Sequence, residues 1–439
     1  MLVFLFPLML GNVLQSISMT LNTIFVGRLI GVPGLAAISA FFPVFFLLIS
    51  FVIGLSSAST VLIGQAHGAR DEHRVRKVAG NALSLCILLG IAGAVAGSFV
   101  ADPLLKAIGT PSDILPASIG YARIAFYGLP LLFFYLMYTT LLRGVGDSTT
   151  PLYFLIVSTL LGMALTPAFI LGWAGLPRIG VNAAIVSSLL ATAATQLVLF
   201  FYLRARKHPL ALNMEMLRDF ALDRSLVATI LRIGVPAGIQ VVMVSLAEIA
   251  VISFVNRFGS GATAAYGAVN QVVNYIQFPA ITLAITASIF GSQAIGARRF
   301  DRLGAIVRSS VVLNYVIVGT LIVLGYGLDK PLLSLFLGNS PTLEIARTLL
   351  KITLWSYAIY GNMAVLSGVM RASGAVLWPT AISIFMVWGI EVPTAYVLSQ
   401  RIGLDGVWIG YPVAYCAGLA LQSAYYFLVW KRRELRPIV

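Results

Sequence analysis

From Ile233 to Arg257 the sequence reads IGVPAGIQVVMVSLAEIAVISFVNR, an apolar stretch interrupted by a single carboxylate, Glu248. About 20 consecutive apolar residues suffice for a helix that crosses a bilayer. An ionisable side chain inside such a helix costs about 2.5–3.5 kcal/mol on insertion scales, so it marks a functional site by default. The stretch therefore predicts a transmembrane helix with a functional acid.

The composition extends this interpretation to the whole chain. Of its 439 residues, 59% are hydrophobic and 10% are charged, whereas soluble proteins carry about 25% charged residues. The net charge of +14 arises from Lys and Arg in short loops between apolar stretches, which is typical of membrane proteins and not of nucleic-acid binding. We predict an all-α membrane protein without a nucleic-acid partner.

Cysteine and histidine give no sign of disulfides or of a resident metal. Cys86 and Cys416 each lie in an apolar stretch, with no CxxC spacing. The histidines, which we expect in basic loops, are His67, His73 and His208. The apolar start of the chain continues to Ile30 and lacks the basic region and cleavage site of a signal peptide, so we interpret it as the first span. Whether the natural chain starts further upstream stays open.

Loops and helix breakers divide the sequence into twelve predicted spans. Their approximate limits are 4–27, 36–58, 79–101, 120–142, 152–173, 181–203, 233–256, 264–290, 307–328, 348–370, 379–400 and 406–430. With the N-terminus inside, most of the 29 Lys and Arg residues fall in inner loops, among them Arg143 and Arg371. The positive-inside rule then predicts a multi-pass protein of the cell (inner) membrane with both termini in the cytoplasm.

Two halves of the sequence resemble each other. GQAHGAR at Gly64–Arg70 recurs 228 residues later as SQAIGAR at Ser292–Arg298, and LLRGVGDSTTP at Leu141–Pro151 recurs at the same offset as VMRASGAVLWP. Each half holds six spans, an even number, so both halves enter the membrane in the same orientation. This predicts two pseudo-symmetric six-helix bundles related by an axis along the membrane normal, the parallel-repeat design of alternating-access transporters. The predicted units are an N-terminal lobe (1–203), a cytoplasmic linker (204–232) and a C-terminal lobe (233–439).

Only two carboxylates lie deep inside predicted spans, Glu248 and Glu391. They precede Arg257 and Arg401 by nine and ten residues, which places each roughly 14–15 Å below the outer end of its helix. Both belong to the C-terminal half, and the repeat sets Met19 opposite Glu248. We therefore expect the C-terminal lobe alone to carry the coupling charge.

Polar side chains surround these acids on predicted helix faces. Asn270, Asn274 and Gln277 follow a helical spacing, and such a stripe serves equally well as a site or as an amide contact between helices. We assign cation coupling to Glu248, Glu391, Gln240, Asn270 and Tyr360. We assign substrate binding to Met19, Asn22, Gln15, Asn274, Gln277, Tyr357 and Trp355. The possible metal is a Na⁺ ion at Glu248, and no catalytic residue is predicted.

Several motifs together resemble the multidrug and toxic compound extrusion (MATE) family. They are PLMLGNVLQ and NTIFVGRLIG in the first span, GQAHGAR after the second, LRGVGDSTTP after the fourth, AAYGAVNQVV opening the eighth, QAIGARRFDR after it and MRASG after the tenth. The resemblance covers essentially the whole chain. It implies two six-helix lobes with a V-shaped cleft and the export of bulky, often cationic, amphipathic compounds driven by inward H⁺ or Na⁺.

The resemblance also bears on single residues. Members commonly carry an acid in the seventh span, and Glu248 is the matching candidate, about one helical turn later than in many of them. Many members have an aspartate in the first span, and this chain has Asn22 at that position. Some members have an aspartate in the tenth span, and in this chain Tyr360 lies near that position. Glu391 as a substitute is our own inference.

We predict a monomeric H⁺- or Na⁺-coupled antiporter without a cofactor that exports amphipathic, often cationic, drugs by alternating access. H⁺ is favoured because few carboxylates are available to enclose a metal ion. Walker A and GxSxG motifs are missing from the sequence, so we expect neither ATP as energy source nor enzyme activity. Two alternatives stay open: a flippase of lipid-linked precursors from the related superfamily, which would need a strongly cationic cleft, and a membrane enzyme that does not transport.

Overall fold

The computed structural model describes residues 1–212, 220, 222–338 and 341–438. Within these residues the chain is helical and contains no strand. It divides into two compact units: Leu2–His67 with Asp71–Val235, and Pro236–Val439 with Met1 and Gly68–Arg70. The predicted limits of the two lobes and the linker stay a prediction.

The helices of the N-terminal unit are α1 (Leu2–Leu29), α2 (Val32–Gly68), α3 (Glu72–Ala107), α4 (Leu115–Tyr127), α5 (Leu129–Gly144), α6 (Thr149–Leu171) and α7 (Asn182–Ala205). Inside this unit α3 packs against α4 and α5, while α6 packs against α1 and α7. Phe41 of α2 joins the packing, because its ring meets Phe126 of α4 edge-on at 5.3 Å. Close approach is made possible by small residues, since a Cβ at Gly97 would overlap that Phe126 ring.

The remaining helices are α8 (Arg224–Asn256), α9 (Ser260–Gly296), α10 (Arg302–Gly327), α11 (Asp329–Leu337), α12 (Pro341–Thr353), α13 (Ser356–Ala372), α14 (Leu377–Phe385), α15 (Val392–Ile402) and α16 (Leu404–Leu428). A single π-helical segment, Met386–Glu391, joins α14 to α15. In this C-terminal unit α9 and α13 form the central pair, flanked by α10, α12 and α16. Trp408 on α16 is fully buried in the core.

The all-helical membrane fold is confirmed. Among the described residues ten helices are long and apolar enough to span a membrane, and α4 with α5, bent by 51°, makes an eleventh. The predicted tenth span, 348–370, is broken between α12 and α13, the pair that corresponds to α4 and α5 in the repeat. Lys351 and Arg371 make this pair less apolar than the others.

The repeat is visible in the backbone as well as in the sequence. The limits of α2 and α9 differ by 228 residues at both ends. Two residues after the end of each helix stands an arginine in the left-handed region, Arg70 with φ 59° and Arg298 with φ 57°. The next N–H then bonds back to the helix, Asp71 to the carbonyl of Ala66 and Arg299 to that of Ala294. This cap satisfies carbonyls at the helix end, so both halves stop this helix in the same way.

The connection after α7 begins against the N-terminal unit. The Tyr138 hydroxyl donates to the carbonyl of Leu210 at 2.6 Å, and the Leu210 N–H donates to Nδ1 of His208 at 3.2 Å. Nε2 of His208 lies 3.9 Å from Oδ2 of Asp147. Burial lowers the pKa of His208; Asp147 opposes this shift, whereas His67 adds to it.

The connection also ends against this unit, beside α3. The Ser84 hydroxyl donates to the carbonyl of Phe220 at 3.1 Å, and the Asp223 N–H donates to Oδ1 of Asn81 at 2.6 Å. The Asp223 carboxylate lies 2.7 Å from Nζ of Lys77. The hydrogen bond from Lys77 and those from the N–H groups that open α8 lower the pKa of Asp223.

Candidate functional site

The π-helical segment ends at Glu391. Pro393 follows in the next turn and has no N–H to donate, so an ordinary helical bond to the carbonyl of Gly389 cannot form. A π-turn inserts one extra residue into a helix and is frequent at functional sites. Here it accompanies a carboxylate that is only 4% exposed. Sequence analysis placed Glu391 deep in its span, and the structure adds the local change in helix geometry.

Glu248 lies on α8 and stays exposed at the surface of its unit, beside the fully buried Ala247. The two carboxylates are near enough to interact electrostatically. In the described part of the chain, neither forms an ion pair with Lys or Arg. Two like charges in a low-dielectric region repel each other strongly, so this pair favours the capture of a proton or a small cation.

Five tyrosines, which we call the tyrosine cluster, lie within electrostatic range of the acids: Tyr266, Tyr357, Tyr360, Tyr411 and Tyr415. The hydroxyls of Tyr266 and Tyr411 are 3.0 Å apart and hydrogen-bonded. The Tyr415 ring lies 5.5 Å from that of Tyr357 and 5.2 Å from that of Tyr360.

Each tyrosine of the cluster interacts electrostatically with at least one of the two glutamates. The cluster thus places hydroxyls, which both donate and accept hydrogen bonds, within electrostatic range of the acid pair.

The amide stripe on α9 contributes two side chains to this cluster. Asn270 hydrogen-bonds the Tyr266 hydroxyl, and Gln277 hydrogen-bonds the Tyr360 hydroxyl. Asn274, at the intermediate position, is exposed. The stripe therefore contacts the cluster through its first and last members. Tyr357, which was predicted as a substrate residue, is a member of the cluster and is only 6% exposed.

Gln240 lies elsewhere, two turns before Glu248 on α8. Its Oε1 accepts a hydrogen bond from the Arg371 guanidinium at 2.5 Å and one from the Thr380 hydroxyl at 3.3 Å. The expectation that Arg371 sits in an inner loop is corrected: it lies in the last turn of α13. Arg143, expected in a loop as well, lies in the last turn of α5.

The other predicted site residues lie apart from the cluster. Trp355 is 44% exposed at the break between α12 and α13, where its N–H donates to the Tyr326 hydroxyl at 3.2 Å. Gln15, Met19 and Asn22 lie on α1 of the N-terminal unit. Met19 is 58% exposed, Gln15 is exposed, and Oδ1 of Asn22 is buried without a hydrogen-bond partner.

Sequence reasoning missed three tyrosines of the cluster and the half-buried Arg371. Tyr411 and Tyr415 are four residues apart on α16 and so share one helix face, a signal that could have been read. Tyr266 stands four residues before Asn270, on the face of the amide stripe. Arg371 gave a misleading signal, because it stands two residues before Ser373 and Gly374, which are typical turn residues.

Metal ligands are scarce. Within the described ranges, no group of three or more His, Cys, Asp and Glu side chains could hold a metal ion. The acid pair with hydroxyl and amide neighbours has the chemistry to exchange protons or to hold one small monovalent cation.

Two repeated helical units, the second of which carries an acid pair, are typical of membrane transporters. A family model described as MatE matches residues 7–168 and again 236–397. The chain belongs to the MATE family of transporters and is not an enzyme. The double match follows the internal repeat, so the resemblance noted in the sequence is confirmed.

Relatives from bacteria share the full length of the chain. It is 51% identical over 441 residues to "Probable multidrug resistance protein YoeA" of Bacillus subtilis (strain 168), covering 100% of this chain and 95% of the relative. It is 22% identical over 413 residues to "Multidrug export protein MepA" of Staphylococcus aureus (strain NCTC 8325 / PS 47), covering 93% and 88%. A crystal structure of MATE in complex with MaD3S has the same fold, with a TM-score of 0.88, 23% identity and coverage of 98% and 96%.

Proposed function

We propose that this protein is an H⁺- or Na⁺-coupled antiporter that exports amphipathic, often cationic, drugs by alternating access. Family membership supports drug export, and the relative named a probable multidrug resistance protein supports the substrate class. The observation that carries the coupling is the acid pair of Glu248 and Glu391, which lacks an ion-pair partner in the described part of the chain and lies within electrostatic range of the tyrosine cluster. We further propose a monomer in the cell membrane with cytoplasmic termini.

The coupling follows from electrostatics. One cation entering from outside relieves the repulsion between the two carboxylates, and a cationic drug competes for the same negative field. Each elementary charge moved inward is favoured by about 2.3 kcal/mol per 100 mV of membrane potential. Asn270 and Tyr360 assist by orienting dipoles toward the captured cation, whereas Gln240 holds the Arg371 guanidinium.

Substrate would contact the remaining predicted residues. In the C-terminal unit these are Asn274, Gln277, Tyr357 and Trp355, and in the N-terminal unit Gln15, Met19 and Asn22. Thioether and aromatic surfaces adapt to varied shapes, which suits drugs of unrelated structure.

H⁺ is favoured over Na⁺. A Na⁺ ion at Glu248 needs several oxygen ligands, and hydroxyls, amides and one neighbouring carboxylate would have to supply them. A proton needs only one carboxylate, which either glutamate provides. The flippase alternative would need a basic site, whereas the site in the C-terminal unit is acidic.

Glu248→Gln and Glu391→Gln in proteoliposomes test this proposal. Each variant should insert normally but lose gradient-driven efflux of a fluorescent cationic drug, because the neutral amide cannot exchange a cation. Glu434→Gln, an exposed acid near the C-terminus paired with Arg436, is the matched control and should export normally. Separate pH and Na⁺ gradients identify the ion. Efflux at the unsubstituted rate by both test variants would refute coupling at this site.

A further inference from the structure

A tryptophan in the π-helical segment is hydrogen-bonded to the helix that carries Glu248. The indole N–H of Trp388 donates to the backbone carbonyl of Met243 on α8, with Nε1 and O 2.9 Å apart. A helical carbonyl keeps a second lone pair beyond the one used within its own helix, so the indole adds a bond without breaking α8. The bond therefore joins the helix of one acid to the segment that carries the other.

Contacts on both sides of this bond fix the register of the two helices. α14, the π-helical segment and α15 run on as one helix, Leu377–Ile402, which we call the π-containing helix. Nearer the start of α8, the Thr380 hydroxyl donates to Oε1 of Gln240 at 3.3 Å. Nearer its end, the rings of Phe254 and Tyr396 lie with centroids 5.6 Å apart. The contacts follow each other in the same direction along both helices, so the helices run parallel.

The same register places Glu248 and Glu391 at one level. The three contacting pairs are 140, 145 and 142 residues apart in the sequence, and the two acids are 143 apart. In parallel helices, residues with the same offset lie at the same height, because each residue rises by about 1.5 Å. The acids therefore stand level, in the stretch between the indole bond and the ring pair.

The π-helical geometry separates Trp388 from Glu391 around the helix. Residues three apart in an α-helix differ by about 60° around the axis, and the extra residue of a π-turn widens this angle. Trp388 is 36% exposed and reaches α8, whereas Glu391 is 4% exposed. On the buried side α16 approaches closely, since a Cβ at Gly410 would lie 3.1 Å from the carbonyl oxygen of Glu391. The turn that carries Glu391 is thus held by α16, and its segment is held by α8.

We propose that Trp388 is a positioning residue that sets the spacing of Glu248 and Glu391 through its hydrogen bond to the Met243 carbonyl. This inference rests on the proposed function. The repulsion between two like charges falls as their separation grows, and in the bilayer no water replaces a lost indole bond. Without this bond the acids move apart, so they hold the coupling cation less tightly, whereas drug binding does not change.

The test measures efflux of a fluorescent cationic drug from proteoliposomes while the concentration of the driving ion, H⁺ or Na⁺, is varied. Trp388→Phe keeps an apolar ring and loses the N–H. It should raise the half-saturating ion concentration about threefold, which corresponds to about 0.6 kcal/mol, the mean found for hydrogen bonds between membrane helices. The maximal rate and the KM for the drug should stay those of the unsubstituted protein. Trp388→Leu, which also lacks the N–H, should show the same rise, so the test does not depend on the folding of one variant.

Trp378→Phe is the matched control. Trp378 lies on α14 of the same π-containing helix, and its exposed ring pairs with that of Tyr425 at 6.0 Å between centroids. Its replacement removes an indole from the same helix and leaves the bond to α8 in place. The half-saturating ion concentration should therefore not change.

A cross-link tests the spacing itself within one preparation. After Cys86 and Cys416 are replaced by alanine, Phe254→Cys and Tyr396→Cys place two thiols where the ring pair stood. A short bis-methanethiosulfonate linker then ties α8 to α15 beside the acids. With Trp388→Phe added, the linked protein should regain the half-saturating concentration of the same cysteine pair with Trp388 present, and reduction of the linker should raise it again.

Four results would overturn the positioning role: an unchanged ion dependence in Trp388→Phe, an equal rise in Trp378→Phe, a drug KM that changes as much as the ion dependence, or a raised value that persists after cross-linking. The last three would indicate a general effect of losing an aromatic ring. Failure of the proposed function is distinguishable, because it shows as normal drug efflux by the two glutamate variants. Lost efflux in those variants with an unchanged ion dependence in Trp388→Phe rejects the positioning role alone.

Discussion

The central helix pair of the C-terminal unit depends on a glycine at its contact point. A Cβ added to Gly368 of α13 would lie 2.3 Å from the carbonyl oxygen of Ala284 on α9. That atom belongs to the backbone, so no side-chain rotation relieves the overlap, and the helices must move apart by about 1 Å to reach ordinary contact. Overpacking of this kind costs about 1–3 kcal/mol. We therefore expect Gly368→Ala to destabilise the C-terminal unit.

The separation should also reach the site. The hydrogen bond between Gln277 of α9 and Tyr360 of α13 joins the same two helices, and a shift of about 1 Å exceeds the tolerance of hydrogen-bond distances. Drug efflux should therefore fall together with thermal stability. Stability is measured as the temperature at which half of the monodisperse size-exclusion peak is lost in detergent, and drug efflux is measured in proteoliposomes.

Gly267→Ala provides the matched control. Gly267 lies on α9 too, and a Cβ there would meet nothing within 4 Å. Alanine is favoured over glycine in a helix by about 1 kcal/mol, so this variant should be as stable as the unsubstituted protein or slightly more so. If Gly368→Ala matched Gly267→Ala in both measurements, the close approach of α9 and α13 would not be required.

Three further outcomes concern polar contacts. The pKa of Asp223 is lowered in the folded protein, so the stability that its carboxylate contributes is present above its unfolded pKa and is lost as pH falls below about 3.8. Limited proteolysis of the connection after α7 should therefore be faster below that pH. Asp223→Asn should remove this pH dependence. The pKa of His208 is also lowered, so protonation opposes folding as pH falls from 6.5 toward the lower value. The protection factor of the Leu210 N–H, which corrects the exchange rate for its intrinsic pH dependence, should fall over that window and should not depend on pH in His208→Asn. Asn314 donates to the Asn362 amide oxygen at 3.0 Å and to the carbonyl of Ala358 at 2.8 Å. Asn314→Leu should cost about 0.6–1.7 kcal/mol, the range found for such bonds in membranes, and a midpoint equal to that of the unsubstituted protein would show that this network is dispensable.

The fold was largely predictable because its signals are local or periodic. Apolar length predicts spans, and the constant offset between motifs such as GQAHGAR and SQAIGAR predicts the duplication that the equal limits of α2 and α9 display. The break between α12 and α13 was not predicted, because Leu354 and Trp355 are apolar residues that continue the hydrophobic pattern. The π-helical segment escaped for a similar reason, since one extra residue hardly changes a helical period.

The site was predictable only where a single residue carries a large free-energy cost of insertion into the membrane. Glu248 and Glu391 stand out because a carboxylate in an apolar span needs a reason. The tyrosine cluster does not stand out, because phenols are common in membrane helices and its members come from α9, α13 and α16. Arg371 was misassigned because the positive-inside rule treats every arginine near a turn as a loop residue. Its hydrogen-bond partner Gln240 is 131 residues away in the sequence.

The stacked pair of Tyr266 and Trp408 offers a way to follow the acid site by tryptophan fluorescence. The two rings lie parallel at 8° with centroids 5.7 Å apart, and Tyr266 interacts electrostatically with both glutamates. Capture of a cation changes the local field and hence the emission of the buried indole. With the other five of the six tryptophans replaced by phenylalanine, the fluorescence of Trp408 would report occupancy of the acid pair in real time, without an attached dye.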